Sequence, residues 1–169
     1  MKKVLLLVAL SVATIFAQSL SFQNVDFGTE KSQVEQKLKA QKTSFENKKV
    51  GLQENILIQN VSDFDHKFFT QLTFKNNKLN GYVMITEQKM ALPELNLTIE
   101  SVLKLWTAQL GLPSKVIEQK LTEDWIKEQS KKGAEIGFAE WNQPKKFLAK
   151  LIVIPHEGGY LLSMSLAQL

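Results

Sequence analysis

The chain has no cysteine and no arginine among its 169 residues, and it has only two histidines. The first absence removes disulfides, thiol nucleophiles, cysteine-held metals and any lipid-anchoring cysteine in a signal segment. The second weakens nucleic-acid recognition, because bidentate contacts to guanine and phosphate favour arginine. No serine stands in a Gly-x-Ser-x-Gly elbow, and no phosphate-cradling glycine loop follows a predicted strand. Apart from the N-terminus, no run is apolar enough to span a bilayer, which takes roughly 20 residues.

What the chain does have begins at its N-terminus. Met1-Lys2-Lys3 is followed by the apolar run Val4–Ala17 and then by polar Gln18-Ser19. A basic segment followed by 14 apolar or small residues is the layout of a cleavable export signal and is too short for a spanning helix. Residues 1–19 are therefore expected to be removed, with cleavage between residues 17 and 20. The mature protein is expected in the periplasm, or beyond the outer membrane, with no membrane span and no lipid anchor. The short Lys-Lys signal and the all-lysine basic complement point to a bacterial source.

Processing also changes the charge. Removing Lys2 and Lys3 from the 21 basic residues leaves 19 lysines against 17 acids, a formal +2 instead of +4. The two signs are interleaved, as in Glu128-Gln-Ser-Lys131-Lys132, which is the pattern of a solvated surface and not of a nucleic-acid footprint. About 150 mature residues suffice for one domain that buries roughly 70% of its unfolded surface.

Periodicity divides the mature chain into two parts of similar plan, residues 20–92 and 93–169. In the first, a helix opens near an N-cap at Thr29 and carries Val34 and Leu38 on one face. It fades into a lysine-rich segment from Lys39 to Lys49. Strands are expected at 52–60, 66–75 and 79–87. In the second of these Phe68, Leu72 and Phe74 share a face opposite Phe69, Gln71 and Thr73, and Asn76-Asn77-Lys78 makes the following hairpin turn.

In the second part, Thr98 is an N-cap candidate with Leu97 and Val102 as a hydrophobic staple. Ile99, Val102, Leu103, Trp106 and Leu110 form one stripe, which Gly111 and Pro113 terminate. A short strand at 115–120 precedes a second helix, capped by Thr122 and ended by Lys131, Lys132 and Gly133. Strands at 135–142, 146–154 and 160–168 follow. The hairpins FFTQLTFKNNKLNGYVMIT and FLAKLIVIPHEGGYLLSMSL align, so the expected fold is α+β, with two tandem helix-plus-antiparallel-meander repeats and helices on one face of the sheet. They form one compact unit or two small lobes.

Phe27-Gly28-Thr29 opening a short helix, the Phe74-x-Asn-Asn-Lys78-Leu79 hairpin, and Thr98-Ile-Glu-Ser running to Leu110-Gly111-Leu-Pro113-Ser114 resemble the BamE/SmpA-like domains. These share a superfamily with the β-lactamase-inhibitor proteins. The resemblance covers most of residues 25–168. It implies helices packed on small antiparallel sheets, often in tandem, and work by protein binding. The chain departs from the pattern in two ways: its first helix ends Ala40-Gln-Lys-Thr, without a Leu-Gly-x-Pro ending, and it has no lipidation cysteine.

The catalytic inventory is thin. Asp63-Phe-Asp65-His66 contains metal-ligating groups, but a site with one histidine needs further ligands that are not evident, and the cluster reads as a polar turn. His156-Glu157-Gly158-Gly159 reads as a hairpin turn, and Ser163 and Ser165 as the wet face of a strand. No catalytic, cofactor-binding or metal-binding residue is assigned. Aromatic residues are the stronger lead. Trp106 belongs to the core stripe. If one sheet face is solvated, Phe69, Tyr82, Met84 and Trp141 form an exposed apolar patch of the kind that binds proteins. If both faces are covered, they are a second core layer. The expected function is a non-enzymatic periplasmic protein-binding module (adaptor, inhibitor or envelope-assembly factor) with an envelope or periplasmic protein as partner. A carrier of a small apolar or lipid ligand is the alternative.

Overall fold

A computed structural model of the chain describes residues 21–51, 53–131 and 135–169. The expected export signal at residues 1–19 lies outside them, as do Lys132 and Gly133 of the predicted ending of the helix capped by Thr122. The described chain is mixed α and β, with three helices and a large antiparallel sheet of eight strands. Among the described residues no helix is long and apolar enough to cross a membrane.

A small hairpin of β1 (Ser21–Phe22) and β2 (Val25–Asp26) leads into helix α1 (Lys31–Ala40). The large sheet then begins with β3 (Phe45–Val50), β4 (Gln53–Asp63), β5 (His66–Lys75) and β6 (Lys78–Thr86). Helix α2 (Leu92–Leu110), the two-residue β7 (Lys115–Val116) and helix α3 (Glu123–Ser130) follow. The chain closes with β8 (Ile136–Gln143), β9 (Phe147–His156) and β10 (Gly159–Gln168). The sheet order is β3-β4-β5-β6-β10-β9-β8-β7, so two consecutive antiparallel runs meet where β6 pairs β10.

Burial alternates along the strands. In β5, Phe68, Thr70, Leu72 and Phe74 are buried while Phe69, Gln71 and Thr73 are half-exposed, and β9 repeats this with Phe147, Ala149, Leu151 and Val153 inside. The period is two because successive strand side chains point to opposite faces. The buried face joins Val34 and Leu38 of α1, the Leu95–Ile99–Val102–Trp106–Leu110 stripe of α2 and Ile126 of α3 in one core. Trp106 meets Trp141 of β8 edge to face, with ring centroids 5.3 Å apart. The Asn76-Asn77 turn forms as expected, both residues taking positive φ.

Several local expectations are corrected. α2 starts six residues before Thr98, because Pro93 suits a first helical turn and Glu94 reaches back to the Ala91 backbone N–H. Thr98 is a buried mid-helix residue whose hydroxyl donates to the Glu94 carbonyl, and Leu97 is 66% exposed instead of stapling the helix. Glu30, not Thr29, holds the N-cap position of α1, without a side-chain cap bond, while the Thr29 carbonyl accepts from the Leu79 backbone N–H and so ties the helix entry to β6. The strand expected at 115–120 shrinks to two residues. Part of the lysine-rich segment forms β3, whose polar residues hide the strand period. Thr122 does cap α3, accepting from the Trp125 N–H at 3.3 Å.

Candidate functional site

Of the four residues expected to form either an exposed patch or a second core layer, three lie in the core. Tyr82 is 9% exposed, Met84 3% and Trp141 1%. Only Phe69 lies on the opposite face. The cause is a pair of single-residue bulges. In β5–β6 the pairing runs Lys75↔Lys78 and Phe74↔Leu79, then skips Asn80 to resume Thr73↔Gly81 and Leu72↔Tyr82. A regular ladder from the same turn pairs Phe69 with Met84; the bulge pairs it with Ile85 instead. In β8–β9 the bulge at Phe138 likewise shifts the phase, so Ile136, Ala139 and Trp141 share the buried face. Burial holds the Tyr82 hydroxyl far above its ordinary pKa, as expected of a group packed against Phe22 and Phe27.

The three described helices all join the buried face, and among the described residues no helix lies over the other one. One row crosses five strands as Phe69, Ile85, Ser163, Ile152 and Gly137, each directly opposite the next. Beside it runs Leu57, Gln71, Val83, Ser165, Lys150 and Glu140. On the far side Leu161 faces Ile154. Phe69, Leu57, Val83, Ile85, Ile152, Ile154 and Leu161 are all half-exposed. Hence an apolar centre is flanked by a more polar row that ends in the Lys150–Glu140 pair. Gly137 leaves open space at one end, since a Cβ there meets nothing within 4 Å. Beside it lies a hollow floored by Val116, Ile117, Phe138 and Ile152. Alternation was the available signal: Leu148, Lys150, Ile152 and Ile154 occupy every second position opposite a fully apolar set.

A second feature is a cleft of about 320 Å³ on the helical side, between the β1–β2 hairpin, α2 and the turn after β4. Phe22, Met84, Leu105, Trp106, Met164 and Leu166 are among its walls, and Asp63 stands at its rim. The Asp63 carboxylate accepts from the Phe64 N–H at 2.9 Å, and burial raises its pKa despite that bond.

The Asp63–His66 segment is a hairpin turn, with Phe64 and Asp65 at positive φ. Its groups diverge. Asp63 faces the cleft, whereas Asp65 and His66 line a separate hollow beside α2. His66 Nε2 is 2.9 Å from the Thr98 hydroxyl, and its Nδ1 is 3.9 Å from Glu94. Among the described residues no three His, Asp or Glu side chains are grouped so as to share a metal ion. His156 is exposed in the β9–β10 turn, and Trp125 and Tyr160 pack partly against the core. Of the two serines expected on a wet strand face, Ser165 is half-buried there, but Ser163 is buried at 7% exposure between the directly opposed Ile85 and Ile152. No protein-family model matches the sequence, and no curated protein or solved structure is significantly similar to it.

Proposed function

We propose that the protein is a non-enzymatic, periplasmic protein-binding module that docks an envelope or periplasmic protein on the open sheet face. The observation that carries this reading is the apolar row of Phe69, Ile85 and Ile152 with Leu57, Val83, Ile154 and Leu161 around it, all half-buried and covered by none of the described helices. Apolar surface left partly in water costs free energy that a partner's apolar surface recovers on contact. The export signal at residues 1–19 supports the compartment, and the BamE/SmpA-like motifs support binding as the mode of action. The strand order supports a tandem repeat: in each half a helix precedes an antiparallel run that ends on the strand meeting the other half, β6 or β10, although the β1–β2 hairpin comes before α1 and α3 is added in the second half.

The test is position-specific crosslinking in the native cell envelope. A photoreactive residue at Phe69 or Ile152 is expected to trap one reproducible protein, which Gly137→Arg and Ile85→Lys then abolish. Trapping that is equal from Lys39 on α1, or absent from the face altogether, contradicts the reading.

The cleft favours a second reading, a carrier of a small apolar or lipid ligand. Its volume sits at the lower end of small-ligand sites, typically about 300–1,000 Å³. Native mass spectrometry of protein purified from its source is expected to show bound extra mass under that reading. A clean protein mass, with no uptake of a fluorescent fatty-acid probe, ends it.

A further inference from the structure

Strand β3 closes one edge of the large sheet, and its residues Glu46 to Lys49 are exposed. Among the described residues no strand pairs with its outer side, which leaves backbone donors and acceptors there, the feature that recruits another strand. Cross-strand pairing within the chain leaves its charges partly unused. Glu46 faces Leu57 and Lys48 faces Asn55, whereas Lys49 faces Glu54 and lowers that carboxyl's pKa after Lys31.

We propose that β3 pairs antiparallel with β3 of a second copy of this chain, joining two eight-stranded sheets edge to edge. Two copies related by a twofold axis normal to the sheet keep their faces aligned, so only residues of the same face stand opposite. Glu46 and Lys48 share the open face; Phe45, Asn47 and Lys49 share the buried one. Centring the axis on Asn47 sets Glu46 of each copy opposite Lys48 of the other, twice, with Phe45 under the stem of Lys49. The two neighbouring face-preserving registers set Lys48 against Lys48 or Glu46 against Glu46. Opposite charges directly across a ladder stabilise it and like charges do the reverse, so one register is singled out. A six-residue edge is a small interface, and the dimer is expected to be concentration-dependent. The pairing also makes the two open faces continuous.

Light scattering across a dilution series reads the mass directly. The protein is expected to rise toward twice its monomer mass with concentration, Lys48→Glu to stay monomeric, and the exchanged pair Glu46→Lys with Lys48→Glu to dimerise again. The chain has no cysteine of its own, so Asn47→Cys, which faces itself across the axis, provides an independent reading. It is expected to oxidise to a covalent dimer far faster than the exposed Lys39→Cys on α1. A monomer at every concentration, a dimer indifferent to Lys48→Glu, or equal oxidation of the two cysteine variants overturns the proposal. None of these readings involves the partner of the open face, so either proposal can fail alone.

Discussion

Trp141 and Phe69 are both large aromatics in strands, yet they do opposite work. Trp141 donates its indole N–H to the Gly111 carbonyl at 2.9 Å and packs against Trp106, so it fastens β8 to the end of α2. Phe69 makes no such bond and stands half-exposed among Ile85 and the open-face row. Trp141→Ala is therefore expected to cost about 3–5 kcal/mol in urea denaturation, the range for emptying a large aromatic site, whereas Phe69→Ala should cost about 1 kcal/mol or less. Equal losses contradict the two-face assignment. Asp63 supports a pH prediction. Burial raises its pKa above the ordinary 3.8, so the native state holds this proton more tightly than the unfolded chain does. Its stabilising contribution is fully present below the unfolded value and is lost as pH rises through the native one. Asp63→Asn retains an acceptor for the Phe64 N–H. It is expected to gain on the wild type as the pH passes upward through the carboxylate range, read as urea midpoints at a series of pH values. Parallel curves count against it.

Among the elements, local patterns were legible and long-range phase was not. The β5 alternation, the α2 stripe with its Gly111 stop and the Thr122 cap each depend on residues a few positions apart, and each appears where expected. The faces of Tyr82, Met84 and Trp141 depend instead on where a strand takes in one extra residue. Asn80 and Phe138 look like any neighbour in sequence, yet each moves the rest of its strand to the other face of the sheet. The β3 edge was hidden for a different reason: an edge strand has polar side chains on both faces and so shows no period. Asn96 was likewise invisible. It is buried in α2, donates to the Leu121 and Leu92 carbonyls at 3.1 and 3.0 Å, and accepts from the Leu121 N–H at 3.0 Å. It thereby replaces the ladder partners that the segment before α3 lacks. Asn96→Ala leaves both Leu121 groups unpaired and is expected to cost about 1–3 kcal/mol, with accelerated hydrogen exchange at the Leu121 amide. Protection that is unchanged there counts against the tie.

At the scale of the molecule, the question is whether the two halves fold as one body. They meet along β6 and β10, from Ser163↔Ile85 to Ala167↔Gly81, and Met84 and Met164 are buried face to face in that ladder. The approach is close: a Cβ on Gly81 falls 2.9 Å from the Leu166 carbonyl oxygen and from the Thr73 hydroxyl, so the junction accepts glycine and little else. Gly81→Ala is expected to push the halves apart at a cost of about 1–3 kcal/mol. The distribution of tryptophan makes the cooperativity measurable. Trp106, Trp125 and Trp141 all belong to the second half, so fluorescence follows that half alone, while far-UV circular dichroism follows the helices and strands of both. With one continuous core and one continuous sheet, the two signals are expected to unfold at the same urea midpoint, and Leu72→Ala in the first half should lower the tryptophan midpoint as much as the dichroism midpoint. A tryptophan transition that ignores Leu72→Ala means two lobes that unfold separately. In that case the open face spans a junction that can flex, and a partner bridging Phe69 and Ile152 would stiffen it.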